Sequence, residues 1–326
     1  MTSYRAGNHS YLTDGFSGLA EAPPTTWENY RRILRGAGRA IIRDSYPSEF
    51  AALAQTMQQP VATGRKIAIL TPGGGTGAST VASLLALAYR NLRGDLIGLV
   101  DLNNLASGIL PGVGNDPKSP REALGSLSVG KPTHRDEFRR LLGTEEKDAA
   151  VVRAASYEEP LSARATETLL ADFARQCAVS LIECPPGGDD ERTATVVGRA
   201  HAVVVVVDMT EQGMREGKAL IDRVRDIEGK ARDLRRNGRS PVMIVGNERT
   251  AAAKTARRGA RELAAESGAR MVTLRHNRRF RGAERLSFDA LEQKTRLEAL
   301  RIGALALTLA RGQDARAALS TGEETA

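Results

Sequence analysis

The sequence predicts an α/β fold in which a doubly wound, mostly parallel sheet has helices on both faces. Short apolar runs that lack polar alternation recur along the chain, and helical patterns separate them. Continuous apolar strands are typical of parallel sheets that are covered on both sides, and right-handed helical crossovers join such strands. Glycine-rich or polar segments follow several of the runs. Ligands of open parallel sheets bind at these strand ends, so a binding site is expected there.

Seven segments have the character of buried strands. They are residues 66–71, 96–101, 149–153, 178–183, 202–208, 241–246 and 270–275. Six segments show the apolar period of helices: 79–92, 161–176, 192–200, 213–236, 250–266 and 293–311. Residues 104–147 contain clusters of Gly, Pro and Ser, and we expect this stretch to be a long surface excursion.

The α/β domain is expected to span residues 60–312, with appendages on both sides. Residues 1–26 and 313–326 are polar, which predicts mobile tails. Between the first tail and the domain, residues 27–59 are expected to form a helical arm.

The arm contains the segment WENYRRILRGAGRAIIR, in which apolar residues recur at helical spacing with arginines largely opposite. This pattern predicts a basic amphipathic helix. One interpretation is that it packs on the main domain with solvated arginines, and the other is that it contacts a membrane surface or a partner protein.

The composition is that of a globular protein, since 41% of the 326 residues are hydrophobic and 26% are charged. The sequence contains neither a membrane-length apolar run nor a signal-peptide pattern. We therefore expect a cytoplasmic protein without a transmembrane segment, with peripheral attachment to the inner membrane face as the alternative. Cys177 and Cys184 are expected to be reduced core residues. The net charge of +8 favours acidic partners.

The stretch KIAILTPGGGTGAST, from Lys66 to Thr80, joins a predicted strand to a predicted helix through a glycine-rich turn. Glycines let backbone N–H groups surround a phosphate, and the following helix N-terminus adds a favourable dipole. Three more polar features follow other strands: Asp101 in VDLNN, Glu183 in IECPPG and Asn247 in VGNER. All four features fall at strand ends where ligands bind.

In this order, the four features resemble the MinD/ParA-type deviant Walker A ATPases, whose loop reads GKGGxGK[ST]. The resemblance covers roughly residues 60–312, essentially the whole folded domain, and implies a P-loop NTPase-like fold that binds ATP or ADP with magnesium. The WENYRRILR helix, the loop, VDLNN and VVVVVDMTEQGMREGKALIDRV look most like the EspI-like ATPases of type VII secretion. That closer resemblance implies a protein partner in a secretion or positioning machinery.

Carried over position by position, the resemblance assigns a nucleotide site and a metal site. The implied nucleotide contacts are Gly73, Gly74, Gly75, Thr76, Gly77, Ala78, Ser79, Thr80 and Asn247. Ser79, Asp101 and Glu183 would hold magnesium, with Glu183 standing where the family has Asp. Asn247 would read the adenine edge, because an amide offers both a donor and an acceptor.

The loop departs from the family pattern at three positions. Pro72 replaces the first glycine, Gly73 replaces the signature lysine, and Ala78 replaces the general P-loop lysine. In the family these lysines neutralise the β- and γ-phosphates and contact the nucleotide of a second subunit. The P-loop is therefore degenerate, and fast hydrolysis is not expected. Any homodimer is expected to be insensitive to ATP.

Three functional hypotheses remain open. The first is a pseudo-ATPase that acts as a scaffold or regulator of a type VII secretion apparatus. The second is an active ATPase in which an arginine such as Arg215 or Arg249 replaces the lysine. The third is a partition-type protein whose basic region, residues 230–285, binds DNA non-specifically.

Each site feature also has a purely structural interpretation. The glycine loop can be a tight turn, and Asp101 and Glu183 can be solvated strand ends. Asn247 can cap the helix that follows it. Because each feature alone fits both interpretations, the functional one depends on all four features being brought together in the fold.

Overall fold

The computed structural model describes residues 45–104, 108, 113, 116–144, 149–155, 158–230, 240–249, 254–277, 280 and 286–312. The two predicted tails, residues 1–26 and 313–326, lie outside these ranges. The predicted helix of residues 27–43 and parts of the basic region 230–285 also lie outside them.

The described residues form one sheet of seven strands in the order β3-β2-β4-β1-β5-β6-β7. The strands are β1 Arg65–Leu70, β2 Ile97–Asp101, β3 Ala150–Arg153, β4 Val179–Glu183, β5 Ala202–Asp208, β6 Val242–Asn247 and β7 Arg270–Leu274. Every neighbouring pair is parallel. Each predicted strand is found within one residue of its predicted bounds. The predicted doubly wound α/β architecture is confirmed.

Nine α-helices surround the sheet in the described part of the chain. They are α1 Tyr46–Met57, α2 Ala78–Leu92, α3 Pro120–Gly130, α4 Arg135–Leu142, α5 Ala163–Gln176, α6 Glu191–Arg199, α7 Glu211–Lys230, α8 Lys254–Ser267 and α9 Gln293–Ala310. The six predicted helices correspond to α2 and α5–α9. Residues 231–236 and 250–253, which the helix predictions included, are outside the described ranges.

The prediction of a surface excursion over residues 104–147 was wrong, because α3 and α4 lie within this stretch. Ser119 begins α3 with a capping box, in which its side chain and that of Glu122 each accept a main-chain hydrogen bond. Phe138 of α4 is buried and meets Phe173 of α5 edge-on, with ring centroids 5.1 Å apart. Local capping and a few well-placed apolar residues therefore override the Gly, Pro and Ser content.

Two apolar layers cover the sheet. Helices α1, α2 and α9 pack on one face, and α3–α8 supply the layer on the other. Helix α1 lies in the predicted arm, and its Phe50 and Met57 are buried in the first layer. Both cysteines are free and buried, as expected, and burial raises the pKa of each thiol. None of the described helices is long and apolar enough to cross a bilayer.

Candidate functional site

The glycine-rich loop begins at the carboxyl end of β1, which lies between β4 and β5. After β1 the chain passes to β2 on one side, and after β4 it crosses β1 to reach β5 on the other. This reversal of strand order is a topological switch point, where the loops diverge and leave a crevice. The loop therefore lies at the place where ligands of this architecture bind.

The loop is held open by its own glycines and by Thr71. Gly75 and Gly77 have φ values of +76° and +93°, which an L side chain rarely adopts. The Thr71 hydroxyl donates to the Gly73 carbonyl at 2.9 Å and also contacts the Thr76 hydroxyl. Gly74 and Gly75 are exposed. Because no side chains cover this part of the loop, its backbone is accessible to a phosphate.

Asn247 fixes the loop from the carboxyl end of β6. Its Nδ2 donates to the Thr76 carbonyl at 2.7 Å. A Cβ on Gly77 would lie only 2.1 Å from that Nδ2, so only glycine fits here. The described part of the next helix, α8, starts at Lys254, seven residues after Asn247. Its role as an adenine reader stays a prediction, with one amide donor already used on the loop.

Ser79, Asp101 and Glu183 form an oxygen cluster beneath the loop. The Ser79 hydroxyl donates to Glu183 Oε1 at 2.5 Å. Asp101 is paired in register with Glu183 across β2 and β4, and its Oδ1 accepts from the Asn103 main chain at 2.8 Å. Both acids are buried, with relative exposures of 0% for Asp101 and 1% for Glu183. The interpretation of these acids as solvated strand ends is therefore wrong.

The oxygen cluster has the properties of a divalent-cation site. Burial raises the pKa of Glu183 to about 8, the charge of Asp101 adds to this effect, and the Ser79 hydrogen bond opposes it. Among the described residues, Glu183 Oε2 has no hydrogen-bond partner. A buried acid with a free oxygen is costly unless a cation compensates it. These residues fit magnesium, which prefers oxygen ligands.

The cluster alone does not complete a metal centre. In the part of the chain that the structure describes, no three His, Cys, Asp or Glu side chains are grouped to hold a metal. Magnesium usually combines one or two carboxylates with water and with the phosphates of a nucleotide. Ser79 and the two acids would therefore hold magnesium together with a bound nucleotide, and the metal would neutralise phosphate charge.

The two positions that carry lysine in the MinD/ParA loop pattern carry no positive charge in this chain. Ala78 is the first residue of α2, is 5% exposed and packs in the apolar layer with α1 and α9. Gly73 faces open space, since a Cβ built on it would meet nothing within 4 Å. The glycine cradle and the oxygen cluster are thus present in a loop that lacks its own positive charge.

A cavity of about 370 Å³ lies beside the loop. Its lining residues are Gly75, Gly77, Thr80, Asn247, Glu248, Arg249, Arg275, His276, Asn277 and Phe280. Arg249, one of the two arginines proposed as a lysine substitute, is therefore near the loop. The other, Arg215, lines a separate groove between α7 and α8. A larger cavity of about 630 Å³, beside α3, α5 and α6, contains none of the predicted site residues.

Arg192 is a site residue that the sequence analysis missed. Its buried guanidinium pairs with Asp190 at 2.6 Å, and Nη1 donates to the Leu102 carbonyl at 2.9 Å. Its Nη2 also reaches Asn104 Oδ1 at 3.3 Å. Arg192 thus ties the loop after β4 to the segment after Asp101. The sequence offered no signal for this connection, because Leu102 lies 90 residues away along the chain.

No protein-family model and no curated protein matches the sequence. Solved structures do match the fold. A variant of McdA from Cyanothece, solved as an ATP complex, has a TM-score of 0.54 and 12% identity, with 77% of this chain and 97% of that chain covered. Cobyrinic acid a,c-diamide synthase from Mycobacterium smegmatis, solved with ADP and magnesium, has a TM-score of 0.53 and 15% identity, covering 75% of this chain and 94% of that chain.

The MinC:MinD cell division complex of Aquifex aeolicus is a third similar structure. It has a TM-score of 0.51 and 13% identity, and the match covers 73% of this chain and 94% of that chain. The chain shares the P-loop NTPase-like α/β fold of these three structures. In this fold, the glycine loop after β1 and the acids that end β2 and β4 lie at the same edge of the sheet.

Replacing Gly77 with Ala should destabilise the loop, whereas replacing Gly74 with Ala should not. In Gly77→Ala the new Cβ meets Asn247 Nδ2 and the backbone has a positive φ, so we expect a loss of about 2–4 kcal/mol in unfolding free energy. In Gly74→Ala the Cβ enters open space. Urea unfolding of both variants measures the difference, and equal midpoints would contradict the proposed Asn247 contact.

Proposed function

We propose that the chain is a MinD/ParA-like nucleotide-binding protein that holds ATP or ADP with magnesium and hydrolyses ATP slowly. The loop from Gly73 to Gly77 would bind the phosphates through its backbone N–H groups. Ser79, Asp101 and Glu183 would hold magnesium. The protein would act as a scaffold or regulator whose state depends on the bound nucleotide.

The proposal rests mainly on the contact between Ser79 and Glu183. The Ser79 hydroxyl and the Glu183 carboxylate meet at 2.5 Å directly below the open loop, and Glu183 Oε2 is buried without a hydrogen-bond partner among the described residues. A tight turn without a ligand needs no such buried acid, whereas a site for a magnesium nucleotide uses both oxygens. The similar McdA structure is an ATP complex, and the similar cobyrinic acid a,c-diamide synthase structure holds ADP and magnesium. Both support the same ligand class here.

The expected slow turnover follows from the absence of positive charge on the loop itself. Phosphoryl transfer requires fixed positive charge around the transferring group, and a single preorganised donor in a dry site is worth about 10²–10³ in rate. Ala78 supplies no such charge, and Gly73 carries no side chain that could reach the nucleotide of a second subunit. A homodimer, if formed, would therefore not require ATP.

The partner class rests on sequence resemblance and on one structural neighbour. MinD of Aquifex aeolicus was solved in complex with MinC, which supports a protein partner for this chain. The closer resemblance to EspI-like ATPases favours a type VII secretion apparatus over a cell-positioning system. The geometry of the described residues favours neither the DNA-binding hypothesis nor the membrane-surface hypothesis.

Isothermal titration of the purified chain with ATP and with ADP should detect binding that strengthens when magnesium is present. Ser79→Ala should weaken the magnesium-dependent part about tenfold or more, because it removes one oxygen of the cluster. Ser83→Ala is the matched control, since its hydroxyl lies one turn further along α2 and bonds the Ser79 carbonyl. The proposal fails if the native chain binds neither nucleotide, or if Ser79→Ala leaves the magnesium effect intact.

Restoring the loop lysine should accelerate hydrolysis. We expect Ala78→Lys to raise the rate of phosphate release by about 10²-fold over a slow native rate. Ala78→Met, which has a similar length without the charge, should give no increase and controls for the crowding of a buried position. A brisk native rate that Ala78→Lys leaves unchanged would instead support an active ATPase with a substitute arginine.

The secretion role is tested in the bacterium that carries the gene. Deleting the gene should lower export of the substrates of its type VII apparatus, and the native gene should restore export. Complementation with Gly77→Ala should fail, because the nucleotide loop is disturbed, whereas Gly74→Ala, which has room for its Cβ, should remain folded and provide the comparison. Unchanged export after deletion would exclude this role.

A further inference from the structure

Arg249 faces the glycine loop from the opposite wall of the crevice. An ideal Cβ placed on Gly75 would lie 3.8 Å from its Nη1. Arg249 also lines the 370 Å³ cavity together with Gly75, Gly77 and Thr80. It follows Asn247 by two residues, so the residue that fixes the loop also places Arg249 beside it. A positive charge therefore lies next to a loop that has none of its own.

The present partner of Arg249 holds it only weakly. Its Nη1 lies 3.7 Å from Asp208 Oδ2 at the end of β5, and the two side chains are 54% and 25% exposed. A long, solvated ion pair of this kind contributes little to stability. Arg249 can therefore leave Asp208 at small cost when an anion enters the cavity.

The other arginine on the cavity wall, Arg275, is 61% exposed and has the buried Glu298 as its partner. Arg275 Nε lies 3.5 Å from Oε1 of the buried Glu298, and the Arg275 main-chain N–H donates to the second carboxylate oxygen at 3.0 Å. Arg215 is on a different surface, in the groove between α7 and α8. Among these three arginines, only Arg249 lies beside Gly75.

We infer that Arg249 is the phosphate-binding cation of this site and supplies from the same chain the charge that Ala78 lacks. This inference rests on the proposed function, because it assumes a nucleotide at the loop. A guanidinium matches phosphate oxygens with two parallel hydrogen bonds. Arg249 is carried by the end of β6 and not by the loop, and it is half exposed. It therefore strengthens binding of the ground state more than it stabilises a transition state, which agrees with slow turnover.

The arrangement predicts that Asp208 competes with the ligand. Arg249 faces the Asp208 carboxylate, and a polyphosphate that bound Arg249 would have to replace that carboxylate. Removing the charge of Asp208 should therefore raise the affinity for nucleotide, provided that Arg249 is present. If Asp208 affected nucleotide binding only through the stability of the fold, its substitution would lower the affinity. The predicted increase in affinity is the opposite result.

Titration of MgADP and MgATP into the full chain tests the inference. Arg249→Gln should weaken binding of both about tenfold, and Arg249→Lys should recover most of the loss because it keeps the charge. Arg215→Gln is the matched control and should bind like the native chain. Thermal unfolding of each variant checks that the fold is retained, as expected for a side chain that is 54% exposed.

A double-mutant cycle completes the test. Asp208→Asn should strengthen MgADP binding about threefold in the native background and have no effect in the Arg249→Gln background. If the native chain binds nucleotide and Arg249→Gln binds equally well, the assignment of Arg249 is overturned while the proposed function stands. If the native chain binds neither nucleotide, both are overturned.

Discussion

Strand β1 is hydrogen-bonded in parallel to β4 on one side and to β5 on the other. Strand β4 pairs in turn with β2, and β5 pairs with β6. Glu183 is opposite Ile69 of β1 and also opposite Asp101 of β2. On the other side of β1, the last residues of β5 and β6, Asp208 and Asn247, are paired. Because parallel strands end at one edge of a sheet, these side chains converge there.

The convergence of the strand ends brings two acids, Asp101 and Glu183, together in the interior. The strands that carry Asp101 and Glu183 are buried on both faces, so neither carboxylate can turn away to water. Their proximity has a free-energy cost, which the protonation of Glu183 relieves and which a divalent cation would relieve more fully. Paired buried acids at a switch point therefore indicate a binding site more strongly than either acid does alone.

Much of the fold was predictable because apolar strands and amphipathic helices are specified locally. The seven strand predictions depended only on continuous runs such as AVVVVVD, whose burial follows from their composition. Helices α3 and α4 were missed because their stretch contains many turn-forming residues, and their stability comes from capping and from contacts such as Phe138 with Phe173. Tertiary packing decides such segments, and sequence periodicity does not reveal it.

The site was predictable to a similar extent. The glycines, Ser79, Asp101 and Glu183 follow strands, so their convergence could be inferred from the parallel topology. The contact of Asn247 with Thr76 could not be inferred, because a side chain's partner across 171 residues depends on the packed structure. For the same reason, the sequence could not choose between Arg249, which follows β6 by two residues, and Arg215, which lies in α7.

The Arg192 guanidinium joins two segments that follow the buried acids Asp101 and Glu183 along the chain. It holds Asp190, the N-cap of α6, and also the Leu102 carbonyl, one residue after Asp101. Arg192 is 5% exposed, and a buried charge that lost its carbonyl and carboxylate partners would be strongly disfavoured. A displacement of either segment would break these contacts, so Arg192 restrains the two segments together.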